Sequence, residues 1–452
     1  MEKRRPHFMV VSYGAQSHIN PSLVLARRLA LATGALVTFS TNVFSHRRLP
    51  LAVREDSNLV SHSPYTDGFD DGYDYDAKPI GDYNRYLKLV ATKSLSSIVG
   101  GLSAIGRPVT CLIYTCFSTW VTGVAVDHGI TSVPFWVQPA ISFAAYWHFF
   151  HGFEDLIVAK SGDRYSPVEF PRMPPLQIRE LPTLLTITSP EDPIAPFLSA
   201  IREMCAIMDA SKNKPKLLVN SWREMEVDAI ASIAGVVDVY DIGPMRTEGR
   251  ASIFSPDTKD YMRWLDDQDD ASVVYISFGS YSLFSKEQVE EIQKALEVSG
   301  KPFLWVLRRD NMLRLPEIDV SSAANGMVVE WLEQARVLEH RAVGCFVTHC
   351  GWNSTSESLA RGVGMVAMPQ GLDQGGNAWL VEKVWEVGVR AEVGEGGMVI
   401  AEELGRCLRE VMESKEVRQK VEWWKERVSG VMENGGFLDS RLKEFVEDVY
   451  SS

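Results

Sequence analysis

Short apolar, β-rich runs alternate with helical patterns along almost the whole chain, and that alternation admits few folds. His7–Tyr13 reads as a strand and Gly14–Ser17 as a turn. A helix opens at Asn20-Pro21, with Asn as N-cap and Pro at the first helical position. Gly34 stops that helix, and Leu36–Thr41, Cys111–Thr115, Val133–Val137 and Leu217–Asn220 are further strands. Gly243-Pro244 closes this set, and a second one follows. It has strands at Ser272–Ser277, Phe303–Leu307, Met327–Val329, Gly344–Thr348 and Met365–Met368. Its helix from Ser285 to Ser299 starts with capping-box spacing to Gln288 and ends at Gly300. Strands that alternate with helices predict parallel sheets covered on both faces. The expected fold class is therefore α/β, with two doubly wound domains facing across a cleft and ligands held at the carboxyl ends of strands.

Composition excludes several other classes. The chain has 452 residues and a net charge of −13, with 46 basic against 59 acidic residues. It shows no basic arm or stripe, so nucleic acid is not an expected partner. The acidic balance gives no attraction to an anionic membrane, and any phosphate must be held by local groups. The start, MEKRRPHFMVVSY, reads as a first strand and not a signal peptide. The most apolar stretch, Ser132 to Phe150, is interrupted by Pro134, Gln138, Pro139 and His148, which suits a buried strand and helix better than a membrane span. A cytosolic protein is expected, with its oligomeric state open and a monomer the simplest case. The six cysteines read as reduced, buried thiols, because the Cys111/Cys116 and Cys345/Cys350 spacings fall on strand-like segments.

The chemistry concentrates between Trp331 and Gln374. Trp331 follows a strand, where its ring can stack on a planar base or simply pack in the core. His349 ends the next strand, and Cys350 to Ser354 turn into a helix whose start favours anions. His349, Asn353 and Ser354 add side-chain donors suited to a diphosphate, although Asn353 or Ser354 would also serve as plain caps. Glu357, on the first turn, is suited to accept from two ribose hydroxyls or to complement the helix dipole. Asp373-Gln374 offers acceptors and a donor to adjacent sugar hydroxyls, or is a surface turn. Ser277 to Ser280 forms a short turn able to approach phosphate closely. In the first domain, His18 lies on the loop after the first strand, where it could take a proton from a nucleophile. The aromatic run Phe135 to Phe153 offers a pocket lining in Trp136, Tyr146 and Phe149, with core packing as the alternative. Asp67–Gly72 is either a pocket-edge loop or a solvated turn.

Taken together these residues resemble the plant secondary-product UDP-glycosyltransferases of the GT-B fold. Trp331–Gln374 has the length of that family's donor signature and matches it at Trp331, Gln334, Leu338, His340, Gly344, Phe346, His349 to Ser354, Glu357, Gly362, Pro369, Asp373 and Gln374. GAQSHINP, DGFDDG, LVNSW, IGP, WLDDQ and SVVYISFGS extend the likeness over nearly the whole chain.

The resemblance implies an acceptor-binding domain over 1–244, a linker over 245–256, a UDP-sugar domain over 257–438, and a terminal helix over 439–452 returning to the first domain. It implies that Trp331 stacks on uracil, and that His349, Asn353, Ser354 and Ser280 hold the diphosphate. Gln334 belongs to the same donor set, Glu357 holds the ribose, and Trp352, Asp373 and Gln374 hold the sugar. A final Gln goes with UDP-glucose, and His18 matches the family's base. DGFDDG and CLIYT with Trp120 point to the branch acting on carboxylic acids and on flavonoid or anthocyanin phenols. The chain departs from the family pattern at Gly364, Gly371 and Leu372, and Thr115 stands where many relatives have the Asp that pairs with the catalytic His.

These features lead to an inverting displacement at the anomeric carbon with no metal. A carboxylate that orients a His contributes about 10⁴ in rate, roughly 5 kcal/mol, in a protease triad. The Thr115 hydroxyl can orient a ring but cannot balance its charge. A carboxylic acid, with a pKa near 4, is already ionised and needs little base, whereas a phenol near 10 needs more. A glucose ester is therefore the expected product, with phenol glucosides second. A silent UDP-sugar binder is a rival reading. A nicotinamide dehydrogenase or a serine hydrolase is disfavoured, because G-x-G-x-x-G does not follow the first strand and G-x-S-x-G is missing.

Overall fold

The computed structural model describes residues 5–54, 59–74, 80–189, 191–245, 257, 259–280, 282–314, 325–394 and 396–451. They fall into two compact units, one of residues 1–253 with 431–452 and one of 254–430. The return to the first unit thus begins at 431, ahead of the expected 439. Apart from Met245 and Asp257, the region of the expected linker lies outside the described residues.

The first unit is built on a parallel sheet of β1 (His7–Val11), β2 (Leu36–Ser40), β3 (Ser61–His62), β4 (Cys111–Thr115), β5 (Thr131–Trp136), β6 (Lys216–Val219) and β7 (Asp238–Asp241). Their order is β3-β2-β1-β4-β5-β6-β7. Every residue of β1 and β4 is buried, as expected of central parallel strands covered on both faces. One face packs on α1 (Gln16–Thr33), the other on α2 (Ile80–Ala104). The strand order reverses between β1 and β4, and at such a reversal a crevice opens beyond the carboxyl ends. His18 and Thr115 both lie at that end.

The second unit repeats the plan with β8 (Val273–Ser277), β9 (Phe303–Val306), β10 (Gly326–Val329), β11 (Val343–Thr348), β12 (Gly364–Ala367) and β13 (Gly388–Arg390). Their order is β10-β9-β8-β11-β12-β13, all parallel. The reversal between β8 and β11 brings Ser277–Ser280 and His349 to one place.

Several local expectations are corrected. α1 begins at Gln16, with Ala15 as its extended N-cap and Pro21 inside the helix, so Asn20 is no cap. The first turn closes on the Ala15 carbonyl, at 2.9 Å from the amides of both His18 and Ile19, and His18, Ile19, Pro21 and Ser22 are buried by the resulting face. Ser285 does cap α3 (Lys286–Ser299) by accepting from the Gln288 amide. The Gln288 side chain does not complete a capping box, however, because it pairs with both backbone groups of Val399 at 2.9 Å. Asp67 is neither solvated nor a plain turn residue. It is fully buried and accepts from Asn42 Nδ2 at 2.7 Å, Tyr83 Oη at 2.9 Å and the Phe69 amide at 2.9 Å. Asp238–Asp241 and Gly388–Arg390 are strands without a readable signal, being short and bounded by Asp or Gly.

The terminal helix α4 (Phe437–Ser451) docks on α1 and β7 within the first unit, burying Leu442 and Phe445 in its core. Arg441 Nε meets Asp241 Oδ1 at 2.9 Å, and its Nη2 reaches the Val239 carbonyl at 2.8 Å. Asp241 is 1 % exposed, so removing the guanidinium leaves a buried carboxylate uncompensated. Arg441→Ala is expected to cost about 3 kcal/mol in urea unfolding, with Arg441→Lys recovering part of the loss.

Candidate active site

In the second unit, β11 ends in a turn that requires an unusual backbone. Cys350 has φ +62°, and Gly351 then adopts extended geometry as the N-cap of α5 (Trp352–Arg361). The N-cap position is held by Gly351, so Asn353 and Ser354 lie inside the helix and neither is its N-cap residue. The His349 ring is wedged between two glycines. A Cβ at Gly279 would lie 2.6 Å from its Nε2, and one at Gly351 would lie 2.5 Å from the same atom. Burial lowers the His349 pKa to about 4, partly opposed by a bond with the Ser277 backbone. Burial thus favours the neutral His349 ring, which can still act as a hydrogen-bonding group. Arg308, which sequence reading missed, supplies a cation nearby. Its Nη1 reaches the Gly279 carbonyl at 3.1 Å, and its charge also disfavours protonation of His349. The only cue was two arginines directly after an apolar strand. Ser280 is exposed beside this turn.

Gln334 joins the next group. Its Nε2 lies 3.0 Å from both Ser354 Oγ and Glu357 Oε2, while its Oε1 accepts from Tyr275 Oη at 3.2 Å. Gln334, Ser354 and Glu357 therefore form one connected cluster, with Glu357 on the second turn of α5 instead of the first. Trp331 is partly buried after β10. The Trp352 ring is 4 % exposed and packs on Trp385, with centroids 6.0 Å apart. The ring is therefore packed against the core on its Trp385 side.

Asp373 and Gln374 are not a surface turn. They are 6 % and 8 % exposed, and burial raises the Asp373 pKa to about 6. Gln374 Oε1 accepts from the amides of Gln370 at 2.7 Å and Gly371 at 3.1 Å, which ties the loop down. Leu372 has φ +54° and, like Cys350, is a non-glycine residue in the left-handed region. Such residues cost on the order of 1–3 kcal/mol each and persist only where the surroundings over-determine them.

In the first unit, His18 is 4 % exposed and its Nδ1 has no hydrogen-bond partner among the described residues. Burial lowers its pKa to about 3. Thr115 does not orient it. The Thr115 hydroxyl accepts from the Tyr13 amide at 2.9 Å. β1 and β4 are adjacent parallel strands, and this bond extends their pairing past the last backbone contact. Tyr13 and Phe117 pack on the His18 ring, at 5.4 and 5.1 Å between centroids. Trp136, Tyr146 and Phe149 are buried, and Trp136 packs on Tyr146 at 5.7 Å. None of the three lines a cavity of about 370 Å³ in this unit, which is walled by Phe117, Trp120, Phe197, Lys88, Thr119 and Glu203 among others. Phe117 is common to that cavity and to the surroundings of His18.

Among the described residues no group of three or more His, Cys, Asp or Glu is placed to hold a metal, and no helix is long and apolar enough to cross a membrane. All six cysteines are free and buried.

Two doubly wound parallel sheets, with an uncapped helix start and a buried carboxylate at strand ends, define a nucleotide-sugar transferase of the GT-B fold. A family model described as UDP-glucoronosyl and UDP-glucosyl transferase matches residues 242–424. UDP-glycosyltransferase 75C1 of Solanum lycopersicum is 36% identical, covering 99% of this chain and 99% of its own. Crocetin glucosyltransferase, chloroplastic, of Gardenia jasminoides is also 36% identical, over 98% of this chain and 97% of its own. The crystal structure of Os79 from O. sativa in complex with UDP superposes with a TM-score of 0.84 at 28% identity, covering 98% of this chain and 100% of that one. The chain belongs to the plant secondary-product UDP-glycosyltransferase family, and it is an enzyme that uses a UDP-sugar donor.

The clamp on His349 leads to a direct test. Gly279→Ala or Gly351→Ala must displace the ring, and each is expected to weaken UDP binding about tenfold, or about 1.4 kcal/mol, in calorimetry. Far-ultraviolet circular dichroism should stay unchanged.

Proposed function

We propose that this enzyme transfers glucose from UDP-glucose to the carboxylate of a small apolar acid, giving a glucose ester with inversion. The observation that carries this reading is the separation of Thr115 from His18. The Thr115 hydroxyl accepts from the Tyr13 amide and no bond joins it to His18, whose Nδ1 has no partner among the described residues. With its pKa near 3, His18 is a weak base. Burial thus makes His18 a weaker base than an ordinary imidazole, and a phenol of pKa near 10 depends on such a base far more than an acid does. A carboxylic acid of pKa near 4 is ionised at pH 7 and has no proton to lose.

In the proposed reaction one carboxylate oxygen attacks the anomeric carbon. The bond from that carbon to the diphosphate oxygen breaks, and UDP leaves with the electron pair. No proton transfer is required. The donor roles proposed are those implied by the resemblance to the family. Trp331 stacks on the base, and Glu357, set by Gln334, holds the ribose. His349, Asn353, Ser354 and Ser280 hold the diphosphate from the start of α5. Trp352, Asp373 and Gln374 hold the sugar. The cavity beside Phe117 holds the body of the acceptor. Its aromatic walls suit a flat or extended apolar molecule, and Lys88 and Thr119 meet Glu203 at 2.7 and 2.8 Å on its polar side. Relatives are named for crocetin, for phloretin and for anthocyanidin glucosides, so their names do not choose between acid and phenol.

The test is product formation from UDP-glucose with a panel of aromatic acids, apocarotenoid acids and flavonoids, each product then treated with mild alkali. Alkali-labile products that persist in His18→Ala are expected. Alkali-stable products abolished by His18→Ala would establish phenol glucosylation instead. Thr115→Asp is expected to raise ether formation more than ester formation, and an equal gain in both would sink the base argument. Phe197→Ala removes one aromatic wall of the cavity and is expected to raise the acceptor KM about tenfold while leaving the KM for UDP-glucose unchanged.

A further inference from the structure

Two non-glycine residues in left-handed backbone border the donor site, and one buried side chain ties their turns together. Cys350, φ +62°, sits between His349 and the start of α5. Leu372, φ +54°, immediately precedes Asp373. Asn377 is fully buried on α6 (Gln374–Trp379), one turn beyond Asp373. Its Nδ2 donates to the Cys350 carbonyl at 2.7 Å and to Asp373 Oδ2 at 3.0 Å. A primary amide has two hydrogens, so both bonds can be made at once. Asp373 is the N-cap residue of α6 but makes no side-chain cap bond, and its carboxylate is met by its own backbone and by Asn377.

We propose that Asn377 is a positioning residue that holds the Asp373 carboxylate at a set distance from the His349–Ser354 turn, so that sugar and diphosphate are gripped in register. The inference rests on the reading of those two segments as the sugar and diphosphate sites. The two turns follow the paired strands β11 and β12, whose last sheet bond runs from the Met368 amide to the Thr348 carbonyl at 2.8 Å. Beyond that bond the Asn377 amide ties the Cys350 carbonyl to the Asp373 carboxylate. The same bond also favours the charged form of Asp373, against the burial that disfavours it. Loss of Asn377 should therefore loosen the sugar side and raise the pH at which Asp373 becomes able to accept from sugar hydroxyls.

The test compares Asn377→Ala and Asp373→Ala with wild type, reading UDP affinity by calorimetry, KM for UDP-glucose, kcat and the pH profile. In Asn377→Ala the UDP affinity is expected to stay within about twofold, because UDP lacks the sugar. The KM for UDP-glucose should rise and kcat should fall, together at least tenfold in kcat/KM, with the acid limb of the profile moved upward from about pH 6. Asn377→Ser, which keeps a donor at shorter reach, should recover part of the loss, and it carries the same comparison if the alanine variant does not fold. Unchanged kinetics and pH profile in a folded Asn377→Ala would overturn the proposal, as would an equal loss of UDP and UDP-glucose binding, which marks a purely structural role. If Asp373→Ala also leaves UDP-glucose kinetics intact, the reading of the sugar site fails first. If it impairs them while Asn377→Ala does not, only the inference fails.

Discussion

The wedging of the His349 ring between Gly279 and Gly351 is the contact on which the second unit's chemistry depends. It brings the loop after β8 against the loop after β11, the two strands between which the sheet order reverses. A side chain at either glycine would fill the ring's place. The left-handed turn at Cys350 then sends the chain into α5 with its first amides unclaimed by a side-chain cap. From that start the helix carries Ser354 and Glu357 on one face, where Gln334 reaches both. One close approach therefore fixes where the anion-binding helix begins, and the helix in turn fixes the carboxylate one turn further on.

The His349 clamp was only half legible from sequence. The donor stretch announces its turn by Cys350-Gly351 and its helix by Asn353-Ser354, because glycine and small polar residues at a strand end have few other uses. The partner glycine lies about seventy residues earlier in the loop after another strand, and nothing local marks it as a wall for an imidazole. The sheets were legible for a different reason. Central parallel strands are buried on both faces, so β1, β4 and β8 read as unbroken apolar runs. Edge strands such as Ser61–His62 and Gly388–Arg390 are too short to carry a pattern. The start of α1 was misread because Asn-Pro is a strong local start signal, and burial of the His18–Ser22 face outweighs one lost ladder bond at Pro21.

The first unit shows how a residue can match a position without filling its role. Thr115 stands where a partner for His18 was expected, at the right strand end and fully buried. Yet a hydroxyl at the end of β4 faces the unmet amide of Tyr13 on β1, and that backbone donor claims it. A carboxylate in that place would also balance the charge of a protonated imidazole, which the Thr hydroxyl cannot do. The first unit therefore has a buried, neutral imidazole bordered by Tyr13 and Phe117, which suits an acceptor that arrives without its proton.

The departures from the family pattern divide along the same physical lines. At Gly364 a Cβ would lie 2.7 Å from Val411 Cγ1, so the missing side chain there is filled by a neighbouring helix residue and says nothing about the sugar. Gly371 keeps its part in the loop through its backbone, since its amide and carbonyl both bond with Gln374. Leu372 differs from both. A bulky residue is held at φ +54° directly beside the buried Asp373, and no glycine absorbs the conformation. Holding it there requires restraint from both sides, which Gln374 supplies through the Gln370–Gly371 amides and Asn377 through Asp373. The cost of the Leu372 conformation is thus met by hydrogen bonds that Gln374 and Asn377 make around it.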